Sequence, residues 1–126
     1  MAVQGRVFYM RDVTRVGVVG ASGYSGAVCA ALVASHPDLE LAFATSDKAL
    51  GEPVAERLGL SGDACKIQFR SHADAEELAA RVDAVVLAVA AENAMKLAPK
   101  LAARTRVVDV SGAFRLDGEE YPEWYG

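Results

Sequence analysis

A glycine-rich segment, VGVVGASGYSGA, runs from Val16 to Ala27 and has the composition of a phosphate-binding loop. Gly20, Gly23 and Gly26 stand three residues apart, after an apolar run and before a helix-like pattern. The N-terminus of a helix offers unpaired N–H groups and a partial positive charge, and glycine lets a phosphate approach them without meeting a Cβ atom. We predict that Gly20 makes the tight turn, that Gly23 admits a pyrophosphate, and that Gly26 lets the helix pack against the sheet.

The spacing of these glycines is G-x-x-G-x-x-G, one residue longer in its first half than the G-x-G-x-x-G of dinucleotide-binding proteins. No lysine follows them as a P-loop requires, and Tyr24 stands where a G-x-S-x-G nucleophile elbow needs its second glycine. We therefore interpret Ser22 and Ser25 as phosphate hydrogen-bond donors or helix caps.

The segment ATSDK, at the end of the predicted second strand, is expected to contact the ribose of a bound adenosine. An NAD site places Asp or Glu there to accept a hydrogen bond from the 2′-hydroxyl group. Thr45, Ser46 and Lys48 suit a 2′-phosphate better, so we predict that the cofactor is NADP. Asp47 is the open alternative, because an inward-facing carboxylate would favour NAD.

Short apolar runs alternate with helical patterns along the chain. Strands are predicted at 15–20, 39–45, 66–69, 84–90 and 106–110, and helices at 24–36, 71–82 and 91–104. A short helix at 53–58 is an alternative to a loop. Val28, Ala31, Leu32 and Ser35 fall on one face of the first helix at helical spacing. Pro37 ends this helix. Ser71 is a candidate N-cap of the helix at 71–82. Pro99 predicts a kink or an early break in the helix at 91–104.

This alternation predicts right-handed βαβ units and an α/β, Rossmann-like, doubly wound and mainly parallel sheet with helices on both faces. Ligands of such sheets bind at the carboxyl ends of the strands. Four segments follow strands and form the candidate site: Gly20–Gly26, Thr45–Lys48, Ala90–Asn93 and Ser111–Arg115.

Composition limits the alternatives. The chain has 126 residues, which suits one domain, and its net charge of −4 argues against nucleic acid or an anionic membrane as the main partner. No apolar run approaches the ~20 residues of a membrane span, and the start lacks the pattern of a signal peptide, so we expect a cytoplasmic protein. Cys29 and Cys65 form no C-x-x-C pair and are interpreted as reduced thiols. Residues 1–14 are interpreted as an extension of uncertain role, before a nucleotide-binding domain at 15–126.

The segments GASGYSG, ATS, VVDVSGAFRL and YPEWYG together resemble the N-terminal cofactor-binding domain of the N-acetyl-gamma-glutamyl-phosphate reductase family, within the semialdehyde dehydrogenase superfamily. The likeness runs from about Arg15 to Gly126. It implies that the whole enzyme uses NADPH to convert N-acetyl-glutamyl 5-phosphate, an acyl phosphate, to N-acetyl-glutamate semialdehyde in arginine biosynthesis. It also implies that Ser111 and Arg115 help to bind the substrate phosphate, and that the cofactor loop extends from Gly20 to Gly26 and includes Tyr24.

Two departures from the family pattern bear on activity. AVAAEN, at residues 88–93, replaces a Pro-His-Gly turn. The nucleophilic cysteine and the histidine acid/base of the family lie in a downstream catalytic domain that this chain lacks. His36 and His72 are interpreted as capping or surface residues. We therefore expect no catalytic residue and no metal site in this chain, no activity from it alone, and a homo-oligomer when the protein is full length.

Two other functions are compatible with the same residues. One is the cofactor domain of an aspartate-semialdehyde dehydrogenase, since GASGYSG is shared loosely with those enzymes. The other is a nucleotide-binding module without chemistry, which the lost Pro-His-Gly turn would suit.

Overall fold

The computed structural model describes residues 13–60 and 66–114. Within them, four parallel strands form one sheet in the order β2-β1-β3-β4: β1 Thr14–Val19, β2 Leu39–Thr45, β3 Ala84–Leu87 and β4 Arg106–Asp109. The helices are α1 Tyr24–Ser35, α2 Val54–Leu58, α3 Ala75–Ala79 and α4 Ala91–Ala102, with a 3₁₀ turn His72–Asp74 before α3. The predicted Rossmann-like α/β class is confirmed.

Apolar side chains are buried on both faces of this sheet. Because side chains alternate along a strand, Val16 and Val18 of β1 point to one face and Val19 to the other. The first face packs against α1 and α2, with Phe69 from the segment before the 3₁₀ turn. The second face packs against α3 and α4, where Leu101 is fully buried. Coverage of both faces explains why β3 is apolar along its whole length.

The order of the strands places a topological switch point between β1 and β3. The chain leaves β1 for β2 on one side and returns to β3 on the other side of β1. Connections that diverge in this way leave a crevice at the carboxyl ends of the two strands, where ligands of this architecture bind. The loop after β1 therefore faces the loop after β3 across the crevice.

The predicted strand at 66–69 was wrong. Gln68 and Arg70 form only isolated bridges, with Pro53 and Thr45. The N–H of Arg70 donates to the carbonyl of Ala44 at 2.9 Å, and the segment then turns at Ser71 after extending the sheet edge by a single residue.

Two predicted elements are shorter than expected. The helix predicted at 71–82 is a 3₁₀ turn followed by α3, because the N–H groups of Ala80, Arg81 and Val82 bond to carbonyls three residues back and tighten the chain. The strand predicted at 84–90 ends at Leu87, because the neighbouring strands end at Val19 and Asp109.

The face of α1 that carries Val28 and Leu32 is turned from the sheet. Val28 is 45% and Leu32 is 64% exposed, while Gly26, Ala30 and Val33 face the sheet. The early break predicted at Pro99 did not occur, since α4 continues to Ala102. The predicted end of α1 before Pro37 and the Ser71 cap were correct, and the Ser71 hydroxyl accepts from the N–H of Ala73 at 3.1 Å.

Some sequence predictions fall on residues that the structure does not describe. These include the interpretation of the first twelve residues, the thiol of Cys65 and the side chain of Arg115. Across residues 13–60 and 66–114, no helix combines the length and the hydropathy needed to cross a bilayer.

Candidate cofactor site

One cavity of about 530 Å³ lies at the switch point and brings together three of the four predicted segments. Residues from the loops after β1, β2 and β3 line it, together with two residues from the segments between β2 and β3 and one residue of α4. These lining residues are Gly20, Ser22, Gly23, Ser46, Asp47, Lys48, Arg57, His72, Ala88, Val89, Ala90 and Asn93.

The three loop glycines have different surroundings. Gly20 has a φ of +92°, and a Cβ atom there would approach the carbonyl oxygen of Ala88 to 2.6 Å. A Cβ atom on Gly26 would overlap the carbonyl oxygen of Gly20. Gly23 has extended backbone, and its Cβ would meet only that same oxygen, at 3.8 Å. Folding therefore requires glycine at 20 and 26, whereas at 23 the free space belongs to the cavity.

Buried hydroxyl groups fix the shape of the glycine loop. The N–H of Gly20 donates to both the carbonyl and the hydroxyl oxygen of Thr45, each at 3.2 Å. The hydroxyl of Ser46 donates to that of Ser22 at 2.6 Å and accepts from the N–H of Ala49 at 3.1 Å. Thr45 is fully buried and Ser46 is 1% exposed. Both side chains are thus committed to contacts within the protein.

The carboxylate of Asp47 is occupied by the segment before α3. Its Oδ1 accepts from the hydroxyl of Ser71 and from the backbone N–H of His72, both at 3.0 Å. The backbone N–H of His72 and then the hydroxyl of Ser71 hold the pKa of Asp47 below its ordinary value. Asp47 thereby anchors the 3₁₀ turn to the end of β2.

This lowered pKa predicts an acid-sensitive contribution to stability. We expect Asp47→Ala to lower the free energy of unfolding at neutral pH, because the folded state binds the ionised form better than the unfolded state does. The difference from the wild-type chain should be fully present above the unfolded pKa and shrink as the pH falls through the lower folded pKa. Urea titrations from about pH 6 to about pH 3 measure it.

The matched control for this series is Glu56→Ala, which removes an exposed carboxylate from α2, outside the cavity lining. A difference between Asp47→Ala and wild type that stays constant over the whole pH range would show that the anchoring does not depend on the ionised carboxylate.

Two cations line the same cavity. Lys48 was predicted from its place after β2, whereas Arg57 was missed. Arg57 lies on α2 and pairs with Glu52 at 3.0 Å, with both side chains more than two-fifths exposed. Nothing in its local sequence distinguishes it from a surface residue, since only the return of α2 over the carboxyl end of the sheet brings it to the cavity.

A smaller cavity of about 310 Å³ shares Gly23 and the loop after β3 with the first. The predicted residues Tyr24, Ser25 and Ser111 line it. Tyr24 is 89% exposed. The Ser111 hydroxyl accepts from the N–H of Ala113 at 3.1 Å, which leaves its own hydrogen available to a ligand. Ser111 therefore lies near the glycine loop, but it lines the smaller cavity and not the larger one.

A sequence model of the family described as "Semialdehyde dehydrogenase, NAD binding domain" matches residues 15–122. The chain belongs to this family. It is 40% identical over 111 residues to the N-acetyl-gamma-glutamyl-phosphate reductase of Thermus thermophilus, and 41% identical over 115 residues to that of Methanopyrus kandleri. The predicted resemblance to these reductases is confirmed.

These alignments cover 87% and 88% of this semialdehyde dehydrogenase domain, but 31% and 33% of the two relatives. The chain thus spans about a third of the length of the curated relatives it matches. Its fold is similar to that of an aspartate semialdehyde dehydrogenase with NADP from Candida albicans. The TM-score is 0.63 at 18% identity, over 83% of this chain and 31% of that one.

Proposed function

We propose that the chain is the NADP-binding domain of an acyl-phosphate reductase that converts N-acetyl-glutamyl 5-phosphate to N-acetyl-glutamate semialdehyde in arginine biosynthesis. The observation that carries the proposal is the cavity at the switch point, in which an open glycine loop and two cations line one space. The identity to curated reductases supports the substrate.

The described residues fit a dinucleotide with three phosphate groups. The pyrophosphate would lie at Gly23 and the N-terminus of α1, where no side chain caps the first N–H groups. The 2′-phosphate would lie against Lys48 and Arg57. The Arg57–Glu52 pair is exposed and contributes under about 1 kcal/mol, so a phosphate can replace Glu52 at little cost.

Thr45 and Ser46 would act on cofactor binding indirectly, by holding the glycine loop in shape. Their hydroxyl groups are buried and hydrogen bonded to Gly20 and Ser22. We propose that they hold the loop in the shape that receives the pyrophosphate, while the Ser22 hydroxyl, which accepts from Ser46, keeps its own hydrogen to donate to a phosphate oxygen. NADPH supplies the hydride when bound, and this chain binds and orients it.

This assignment predicts that the chain binds NADPH at least about tenfold more tightly than NADH, because a charge-assisted hydrogen bond contributes about 1.5–3 kcal/mol. Calorimetric titration with both cofactors measures the ratio. Lys48→Ala should reduce the ratio by weakening NADPH binding alone, and Lys96→Ala, an exposed lysine of α4 outside both cavities, is the control. Equal affinities in the wild-type chain would contradict the assignment.

The second cavity would take the acyl phosphate. We propose that Ser111 donates its hydroxyl hydrogen to the substrate phosphate, with Arg115 supplying the paired donors of a guanidinium group as the resemblance implies. Turnover of N-acetyl-glutamyl phosphate and aspartyl phosphate by the full-length protein would separate this function from an aspartate-semialdehyde dehydrogenase.

A further inference from the structure

His72 lines the cofactor cavity although its sequence position gave it only a surface or capping role. Its Nδ1 lies 2.7 Å from the hydroxyl oxygen of Thr45, and its backbone N–H donates to Asp47. The ring is therefore held at Nδ1, and the backbone of the residue is held by Asp47, at the end of β2, where the ribose of a nucleotide would lie.

The hydrogen-bond network assigns the tautomer of this ring. The hydroxyl oxygen of Thr45 already accepts from the N–H of Gly20, so its own hydrogen is available for Nδ1. Thr45 is fully buried, and among the described hydrogen bonds its hydroxyl hydrogen has no other acceptor. In the neutral imidazole, Nδ1 then accepts and Nε2 carries the proton. No described residue accepts that Nε2–H.

We propose that His72 is a specificity-determining residue, whose Nε2–H donates to the phosphate on the adenosine ribose. This deepens the proposed function and rests on it. Asp47 occupies the position from which a carboxylate would bind the 2′-hydroxyl of NAD, but here it holds the turn that presents His72. The negative charge of Asp47 would repel the 2′-phosphate, and the positive charges of Lys48 and Arg57 in the same cavity offset that repulsion.

Two nucleotide fragments separate this role from a purely structural one. Adenosine 2′,5′-bisphosphate carries the ribose phosphate, and adenosine 5′-monophosphate lacks it. The 126-residue chain is titrated with each by calorimetry, as wild type, His72→Asn and His72→Gln. Asparagine places an acceptor near the position of Nδ1 but has no group that reaches as far as Nε2, whereas glutamine places a donor near Nε2.

We expect His72→Asn to weaken binding of the bisphosphate about tenfold and of the monophosphate less than twofold. His72→Gln should bind the bisphosphate within about threefold of wild type. Equal weakening of both nucleotides by His72→Asn would mean that His72 only supports the Gly20 loop through Thr45, and unchanged binding would exclude any role. Loss of selectivity in His72→Gln equal to that in His72→Asn would also overturn the proposal.

The change in nucleotide affinity caused by Asp47→Ala is an independent test, because its direction differs between the two roles of Asp47. If Asp47 holds the turn, its loss weakens bisphosphate binding, whereas a carboxylate that binds the ribose would on removal weaken the monophosphate and strengthen the bisphosphate. A wild-type chain that binds neither nucleotide nor NADPH overturns the proposed function and this inference with it. Wild-type selectivity that survives in His72→Asn overturns the inference alone.

Discussion

A Gly23→Val variant is expected to fold and to lose NADPH binding by about 100-fold or more. Gly23 has φ −78° and ψ 170°, extended backbone that valine adopts readily, and its Cβ would meet one protein atom at an ordinary distance. The added methyl groups would instead enter the cavity where the pyrophosphate approaches α1. Two or more charge-assisted hydrogen bonds, each about 1.5–3 kcal/mol, would be lost.

Gly26→Ala is the matched control, because it also adds a side chain at a glycine of this segment but is expected to destabilise the fold, whereas Gly23→Val is expected to leave it folded. The Cβ atom added at Gly26 would overlap the carbonyl oxygen of Gly20, so we expect destabilisation of at least about 1–3 kcal/mol. Valine is a poorer N-cap than glycine, so Gly23→Val should cost about 1 kcal/mol or less in unfolding free energy. Urea unfolding and NADPH titration of both variants test the pair, and a stable Gly23→Val chain with normal NADPH affinity would make the loop a structural turn.

The features predictable from the sequence are those set by neighbouring residues. A strand, three spaced glycines and a helical pattern are local signals, and the fold class follows from their repetition along the chain. The glycine loop that lines the cavity was therefore predicted before its geometry was known. Ser46 and Lys48, which line the same cavity, were predicted by the same rule, since both follow β2, whereas Thr45 ends that strand and lies outside the lining.

The features that the sequence missed depend on contacts between distant segments. Arg57 reaches the cavity only because α2 returns over the carboxyl end of the sheet, and His72 only because Asp47 and Thr45 hold its turn. The spacing of Val28 and Leu32 indicated the helix α1, but the helix packs its small residues on the sheet and leaves Val28 and Leu32 exposed. Periodicity alone cannot distinguish these two faces.

The 126-residue chain alone is expected to show no acyl-phosphate-dependent NADPH oxidation. Reduction of an acyl phosphate in this way needs a thiolate that displaces phosphate and forms a thioester, which the hydride then reduces. The thiolate must be activated by a nearby base or positive charge and must face the cofactor. The resemblance places that cysteine and its histidine partner in the downstream catalytic domain, and the chain spans about a third of its curated relatives.

The described residues give the same expectation. Cys29 is a free thiol in the second turn of α1 and lines neither described cavity at the carboxyl ends of the strands. The Nδ1 atom of His36 accepts from the N–H of Asp38, and that of His72 is bonded to Thr45. Neither imidazole is arranged as the base of a Cys29 thiolate. The domain would therefore contribute binding, through the glycine loop and Ser111, and no nucleophile.

The assay follows NADPH absorbance after adding N-acetyl-glutamyl phosphate to the purified chain, with a longer chain that includes the catalytic domain as the positive control. The short chain should bind NADPH and leave it unoxidised, while the longer one turns over. The informative variants are Cys29→Ser and Cys65→Ser in the short chain. Turnover by the short chain that either substitution removes would mean that a thiol of this domain is the nucleophile, and that it reaches the acyl phosphate by a geometry different from the one described.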